Sequence, residues 1–298
     1  MSDSFKDDSA SKGPFVGTDF QDEDFREVVS ILRERSGFDL DSYKDRCIKR
    51  RIASRVRASG LNDSGRYVDL LRSDNSELEA LLAVLTIHVS QFFRNPSTYR
   101  VLEEKVLAEL VAAARGLGER RLRLWSVGCA GGEETYSLAL LLHDMKLDDF
   151  EISIIGSDVS EPILEKAQQA EYKAAHLFEV PAPVRQRYFE QIGEDRYRLD
   201  PEVRGMVRFQ RHNVLADADY PEADLILCRN VMIYFSREEQ NKILSRFAST
   251  LGRDRFLVLG RAETLMGTAR EYFRSEYPVE RIYRCQKRPA ETAAAECR

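Results

Sequence analysis

The 298-residue sequence is poor in the residues that build metal centres and disulfide frameworks, with five cysteines and four histidines. The cysteines stand at 47, 129, 228, 285 and 297, an odd number with no Cys-x-x-Cys pair, which argues against a disulfide scaffold and a zinc site. Cys129 and Cys228 lie in apolar segments and read as small buried hydrophobes. The histidines at 88, 143, 176 and 212 fall in no ligand spacing, so no metal is expected. Long apolar runs are missing as well. No stretch approaches the ~18 residues of a membrane-crossing helix, and the polar, acidic start lacks the apolar segment of a secretory leader. The expectation is a cytoplasmic protein with no membrane insertion.

An excess of basic charge is also lacking. The net charge is −5, and residues 1–24 alone carry seven acids against two lysines, so the rest of the chain balances to neutral. A general nucleic-acid binder would show a broad basic surface, and no nucleic-acid partner is expected. The exception is local. Lys44 to Arg57 holds seven basic residues and one acid, with Arg46, Arg50 and Arg57 on one side of a helix. Charged helices are usually solvated faces, but the nearly pure sign here suits docking on a specific acidic partner.

What remains is ordinary for a globular chain: 43% hydrophobic, 32% charged and long enough for about two domains. Residues 1–20 lack apolar periodicity and read as a flexible acidic tail. Helical patterns follow at Phe25–Leu32, Ser42–Ala58, Gly65–Arg72 and Ser76–Thr86, making residues 21–90 a helical domain. In the second of them Ile48, Ile52 and Val56 form the buried stripe. Residues 91–120 read as a linker and connecting helix. From residue 121 strands alternate with helices: Leu122–Val127, Glu133–His143, Glu151–Ile155 and Glu161–Ala170, then Ala223–Cys228, Glu238–Leu251, Phe256–Leu259 and Val279–Cys285. That order predicts an α/β domain with an open parallel sheet over 121–288, interrupted at 171–210 by an inserted β-subdomain. Residues 289–298 read as a polar, alanine-rich flexible tail.

The chemistry concentrates in Trp125-Ser-Val-Gly128-Cys-Ala-Gly131-Gly132-Glu133-Glu134-Thr-Tyr-Ser137, a glycine turn between a strand and a helix. The glycines let the backbone approach a ligand, and the helix start offers unpaired N–H groups. A dinucleotide site would want Gly-x-Gly-x-x-Gly with its pyrophosphate at the helix start. Glu133 and Glu134 would repel that phosphate, but they tolerate a cationic ligand such as S-adenosylmethionine. The next strand ends in Asp158, where a carboxylate can accept from ribose hydroxyls. Singly, these acids also fit dipole compensation and helix capping; together, at this spacing, they favour the nucleoside ligand.

The chain resembles the CheR family of chemotaxis-receptor glutamate methyltransferases. The matching motifs are Ser90-Gln-Phe92-Phe93-Arg94, the glycine turn, Ser157-Asp158, Arg187-Tyr-Phe189, Phe209-x-x-His-Asn213-Val214 and Cys228-Arg-Asn-Val-Met-Ile-Tyr-Phe235, with a looser match at Leu259-Gly-Arg-Ala-Glu263. The match spans about residues 21–287. The resemblance implies a helical N-terminal domain followed by a Rossmann-like methyltransferase domain with an inserted β-subdomain. It implies methyl transfer from S-adenosylmethionine to glutamates on the cytoplasmic helical bundle of methyl-accepting receptors. It also implies a cofactor pocket of His88, Ser90, Arg94, Val127, Glu133, Asp158, Asn213, Val214, Arg229 and Asn230, with Arg94 and Tyr234 facing the reacting atoms and the basic helix docking on the receptor. A core aromatic is the bland alternative for Tyr234, but a place just past a strand end favours function. His88 stands where relatives commonly have asparagine. Gly260-Arg261-Ala262-Glu263 departs from the family pattern and receives no role. The loop Gln191–Tyr197 is shorter than in relatives that capture a receptor's C-terminal pentapeptide, so no such tether is expected. The chain is expected to act as a monomer.

Overall fold

The computed structural model describes residues 14–36, 40, 45–85 and 90–286, with the side chains of 45–47 outside the description. The chain divides into two compact units, Met1–Ile87 and His88–Arg298. In the first, helices α1 (Asp22–Ser36), α2 (Asp45–Ala58), α3 (Ser64–Ser73) and α4 (Asn75–Leu85) bury Val28 and Leu32, Ile48, Ile52 and Val56, Tyr67 and Leu71, and Leu78 and Leu81 in one core. Acids open α1 and arginines close it, as the helix dipole favours. Asp63 caps α3 by accepting from the Arg66 N–H. Arg55 forms a two-pronged pair with Glu77 at 2.7 and 2.6 Å, and the Tyr67 hydroxyl donates to the same carboxylate.

The expectation of a flexible tail over 1–20 is corrected from residue 14 onward. Phe15 and Phe20 are buried edge-to-face, the Phe15 N–H donates to Asn62, and Arg57 donates to the Phe15 carbonyl. Gly17 lies so close to the backbone of Lys49 and Arg50 that a Cβ would come within 2.9 Å. Two aromatic anchors far apart from their partners in sequence hold this strap, which periodicity does not register.

The second unit begins with a helical stretch of α5 (Pro96–Val101), a wider-wound segment (Leu102–Leu107) and α6 (Ala108–Gly116). It buries Tyr99, Leu102, Val106 and Leu110 in the same core as the sheet, so residues 96–116 belong to this unit rather than to a separate connector. There follow β1 (Arg121–Val127), α7 (Glu133–Asp144), β2 (Glu151–Asp158), α8 (Glu161–Gln169), β3 (Glu171–Lys173), α9 (Ala182–Tyr188), β4 (Phe189–Gly193), β5 (Arg196–Leu199), α10 (Pro201–Gly205) and β6 (Val207–Arg211). The chain continues with β7 (Leu225–Cys228), α11 (Arg237–Leu251), β8 (Phe256–Leu259), α12 (Ala269–Tyr272), β9 (Phe273–Tyr277) and β10 (Ile282–Cys285).

The main sheet has the order β6-β2-β1-β7-β8-β10-β9. Its first five strands run parallel, and β10 and β9 pair antiparallel. β7 and β8 are buried on both faces, which is why they read as unbroken apolar runs. β3, β5 and β4 form a separate antiparallel sheet. The boundary of the insertion is therefore corrected. Residues 207–210, read from sequence as a strand-like piece of the insertion, belong to β6, the edge strand of the main sheet paired with β2. β1 lies between β2 and β7, so the order reverses there. In open α/β sheets that reversal places a ligand crevice outside the carboxyl ends of the strands.

Candidate active site

The glycine turn leaves the end of β1 through two left-handed glycines, Gly128 (φ +65°) and Gly132 (φ +85°). At Gly128 a Cβ would meet Val231 at 2.5 Å, so the turn lies directly against the loop after β7. Asp158, at the end of β2, bridges this turn to its own loop. Its Oδ2 accepts from the Ala130 N–H at 3.1 Å and its Oδ1 from the Ser160 N–H at 3.0 Å. Trp125 anchors β1 beneath by donating to the Ser157 hydroxyl at 2.8 Å.

Glu133 and Glu134, adjacent in sequence, part company. Glu134 is paired with Arg229 at 2.7 Å, and that guanidinium also donates to the Arg94 carbonyl at 2.9 Å and to Asn95 Oδ1 at 2.7 Å. Arg229 thus holds the backbone that carries Arg94. Phe93 and Asn95, on either side of Arg94, are left-handed non-glycine residues, as is Asn230. Each such conformation costs of order 1–3 kcal/mol and persists where the surroundings over-determine it. Here the surroundings are the Arg229 bonds and the Ser137 hydroxyl, which accepts from the Phe93 N–H at 3.0 Å.

Glu133 is 2% exposed. Its Oε1 contacts His176 Nδ1 at 2.7 Å, while its Oε2 is buried with no hydrogen-bond partner. A buried carboxylate oxygen left open is costly unless a ligand cation completes it. The amino group of S-adenosylmethionine is such a cation, so the residues present fit that cofactor. The bond to Glu133 raises the His176 imidazole above its ordinary value, against burial and the nearby Lys173.

The loop after β7 carries Arg229, Asn230 and Tyr234. A residue that sequence reasoning left without a role holds it in place. Glu263, 5% exposed in the loop after β8, accepts from the N–H groups of Gly260 (2.6 Å), Asn230 (2.9 Å) and Ile233 (3.3 Å). Burial pushes its carboxyl up, and the backbone donors oppose this. Gln240 braces the other side of the turn by donating to the Met232 and Phe235 carbonyls. The sequence signals for Glu263 were its place just past an apolar strand and the looser family match at Leu259–Glu263.

Val127 and Val214 are buried, and Ser90, Arg94, Asn213, Asn230 and Tyr234 are partly exposed. The Asn213 Oδ1 caps its own turn by accepting from the Leu215 and Ala216 N–H groups. His88 lies outside the described residues, as does the side chain of Arg46; Arg50 and Arg57 are exposed on α2. Burial pushes the Cys129 and Cys228 thiols well up, so both are inert at neutral pH.

The parallel sheet, its switch-point turn and the open carboxylate oxygen are those of an S-adenosylmethionine-dependent methyltransferase. Residues 88–279 match the CheR methyltransferase, SAM binding domain, and residues 23–86 match the CheR methyltransferase, all-alpha domain. The chain belongs to the CheR methyltransferase family. It is 34% identical to a chemotaxis protein methyltransferase of Listeria innocua, covering 83% of this chain and 92% of that one. Identity to chemotaxis protein methyltransferase 1 of Pseudomonas aeruginosa is 31%, over 88% and 98% of the two chains. For the Salmonella typhimurium chemotaxis protein methyltransferase it is 32%, over 84% and 87%. Among the described residues, no helix is long and apolar enough to cross a membrane.

Proposed function

We propose that this protein methylates glutamate side chains on the cytoplasmic helical bundle of methyl-accepting chemotaxis receptors. The observation that carries the reading is the match of both units to the two CheR domains, together with relatives named for chemotaxis. S-adenosylmethionine supplies a methyl group on a positively charged sulfur. Glu133 binds its amino group through the open Oε2, and Asp158 accepts from its ribose. Ser90, Val127, Asn213, Val214 and Asn230 line the pocket. A substrate carboxylate is already the nucleophile at neutral pH, so no residue need remove a proton. Charge is neutralised as the methyl moves, so strong bonds to the carboxylate would favour the ground state over the transition state. Rate therefore comes from alignment and from excluding water. Arg94 and Tyr234 supply the alignment, each on a loop held from beneath, by Arg229 and by Glu263.

The basic face of α2 docks on the acidic methylation region, and the enzyme works in the cytoplasm as a monomer. No receptor tail is captured. β4 and β5 join through only Glu194 and Asp195, and Asp195 is drawn to the Ala174 N–H, so the turn is tight and acidic. Those acids would repel a peptide ending in a carboxylate. The test is incubation with methyl-labelled cofactor and membranes of the host. Base-labile label on a receptor-sized band is expected, whereas label confined to nucleic acid or absent altogether would refute the reading.

A further inference from the structure

We infer that His176 is a positioning residue for the cofactor, and that the charge on its imidazole makes cofactor affinity rise with pH. The inference rests on the reading of Glu133 as the cofactor's carboxylate. His176 belongs to the inserted segment after β3, yet it reaches the switch point. Its Nδ1 lies 2.7 Å from Glu133 Oε1, and its carbonyl accepts from the Phe92 N–H at 3.1 Å, two residues from Arg94. Tyr172 of the same segment donates to the Gly131 carbonyl at 2.8 Å. One short stretch therefore holds both the backbone of the glycine turn and the acid that follows it.

The groups facing the ring are Glu133 on α7 and, on its own segment, Tyr172 and Lys173. Burial keeps the Tyr172 hydroxyl and the Cys129 thiol neutral. Glu133 is thus the sole anion among them, and it has two oxygens to share. A protonated His176 already neutralises the carboxylate from the Oε1 side. The ligand's amino group, arriving at Oε2, then meets a second cation across one buried carboxylate. A neutral His176 still donates through Nδ1–H and fixes the carboxylate's orientation, leaving its negative charge to the ligand. Binding of a cation at Oε2 should in turn expel the proton from His176.

Calorimetric titration with S-adenosylhomocysteine from about pH 5.5 to about 8.5 tests this across the imidazole range. The ligand's own amino group titrates in every protein, so the ratio of wild type to variant isolates the histidine. Relative to His176→Gln, wild-type affinity should climb about three- to tenfold with pH, the size of effect one neighbouring charge produces. His176→Lys should hold the acid-side affinity at every pH. His176 is over a third exposed in its side chain, so these variants leave the core intact. Parallel profiles for wild type and His176→Gln would overturn the inference. Glu133→Gln is the control for the reading beneath it. If that variant binds as tightly as wild type, the assignment of Glu133 itself fails. If it binds weakly while the two histidine profiles stay parallel, only the role of His176 fails.

Discussion

In the helical unit the buried carboxylate Glu77 accepts from Arg55 at both oxygens and from Tyr67. In the second unit Glu133, as deeply buried, receives His176 at one oxygen and nothing at the other. The first arrangement is closed and holds helices together. The second leaves one oxygen without a partner in the protein. The same contrast runs through the cations of α2. Arg51 donates to the Leu85 carbonyl, Arg55 to Glu77, Lys49 to Asp22 and Arg57 to the Phe15 carbonyl. A basic helix that looks like one docking face in sequence thus commits much of its charge internally, while Arg50 stays exposed on its surface. The two carboxylates are both buried but differ in how far the protein itself completes them.

The largest effect is expected from the cations of α2. Reversing Arg46 and Arg50 to glutamate, with Arg57 left on the Phe15 carbonyl, should abolish receptor methylation while leaving cofactor affinity at its wild-type value. Persistent methylation at physiological salt, read by labelled-methyl transfer, would make the helix a solvated face. Next in size, Arg229→Met strands Glu134 in the interior, where breaking a buried pair costs about 3–5 kcal/mol. Urea denaturation should show it as a lowered midpoint. Arg55→Met should do the same to Glu77, so the two closed pairs can be compared directly.

Asp158→Ala should weaken S-adenosylmethionine binding by about 1.5–3 kcal/mol, the range for a hydrogen bond to a charged group. Unchanged calorimetric affinity in a folded variant would remove Asp158 from the site. The smallest effect is on stability. A histidine whose value is raised in the fold stabilises it below the unfolded value near 6.5, and that increment vanishes as pH rises through the raised value. Solvent screening of the partly exposed ring keeps it small. His176→Gln should abolish this acid-side increment in pH-dependent denaturation, so the wild-type and variant curves should converge as pH rises.

The strand–turn–helix of β1 and α7 and the buried runs of β7 and β8 were legible in the sequence, because their periodicity and glycines are local. β6 read as a strand but was placed in the insertion, because its partner β2 lies about fifty residues away and no local pattern tells which sheet a strand joins. β9 was missed because it is an edge strand whose exposed Arg274 and Ser275 dilute the apolar pattern. The motif residues around Asp158, Arg229 and Tyr234 stood out, but their partners did not. Glu263 meets Asn230 across 33 positions and His176 meets Glu133 across 43, and no local pattern announces such pairings. The strap at Phe15 and Phe20 is invisible for the same reason.

A crystal structure with S-adenosylhomocysteine bound tests the site most directly. The ligand's amino nitrogen is expected within hydrogen-bond distance of Glu133 Oε2, and its ribose hydroxyls at Asp158. A ligand seated elsewhere, with Glu133 Oε2 still unmatched, would contradict that reading of the site.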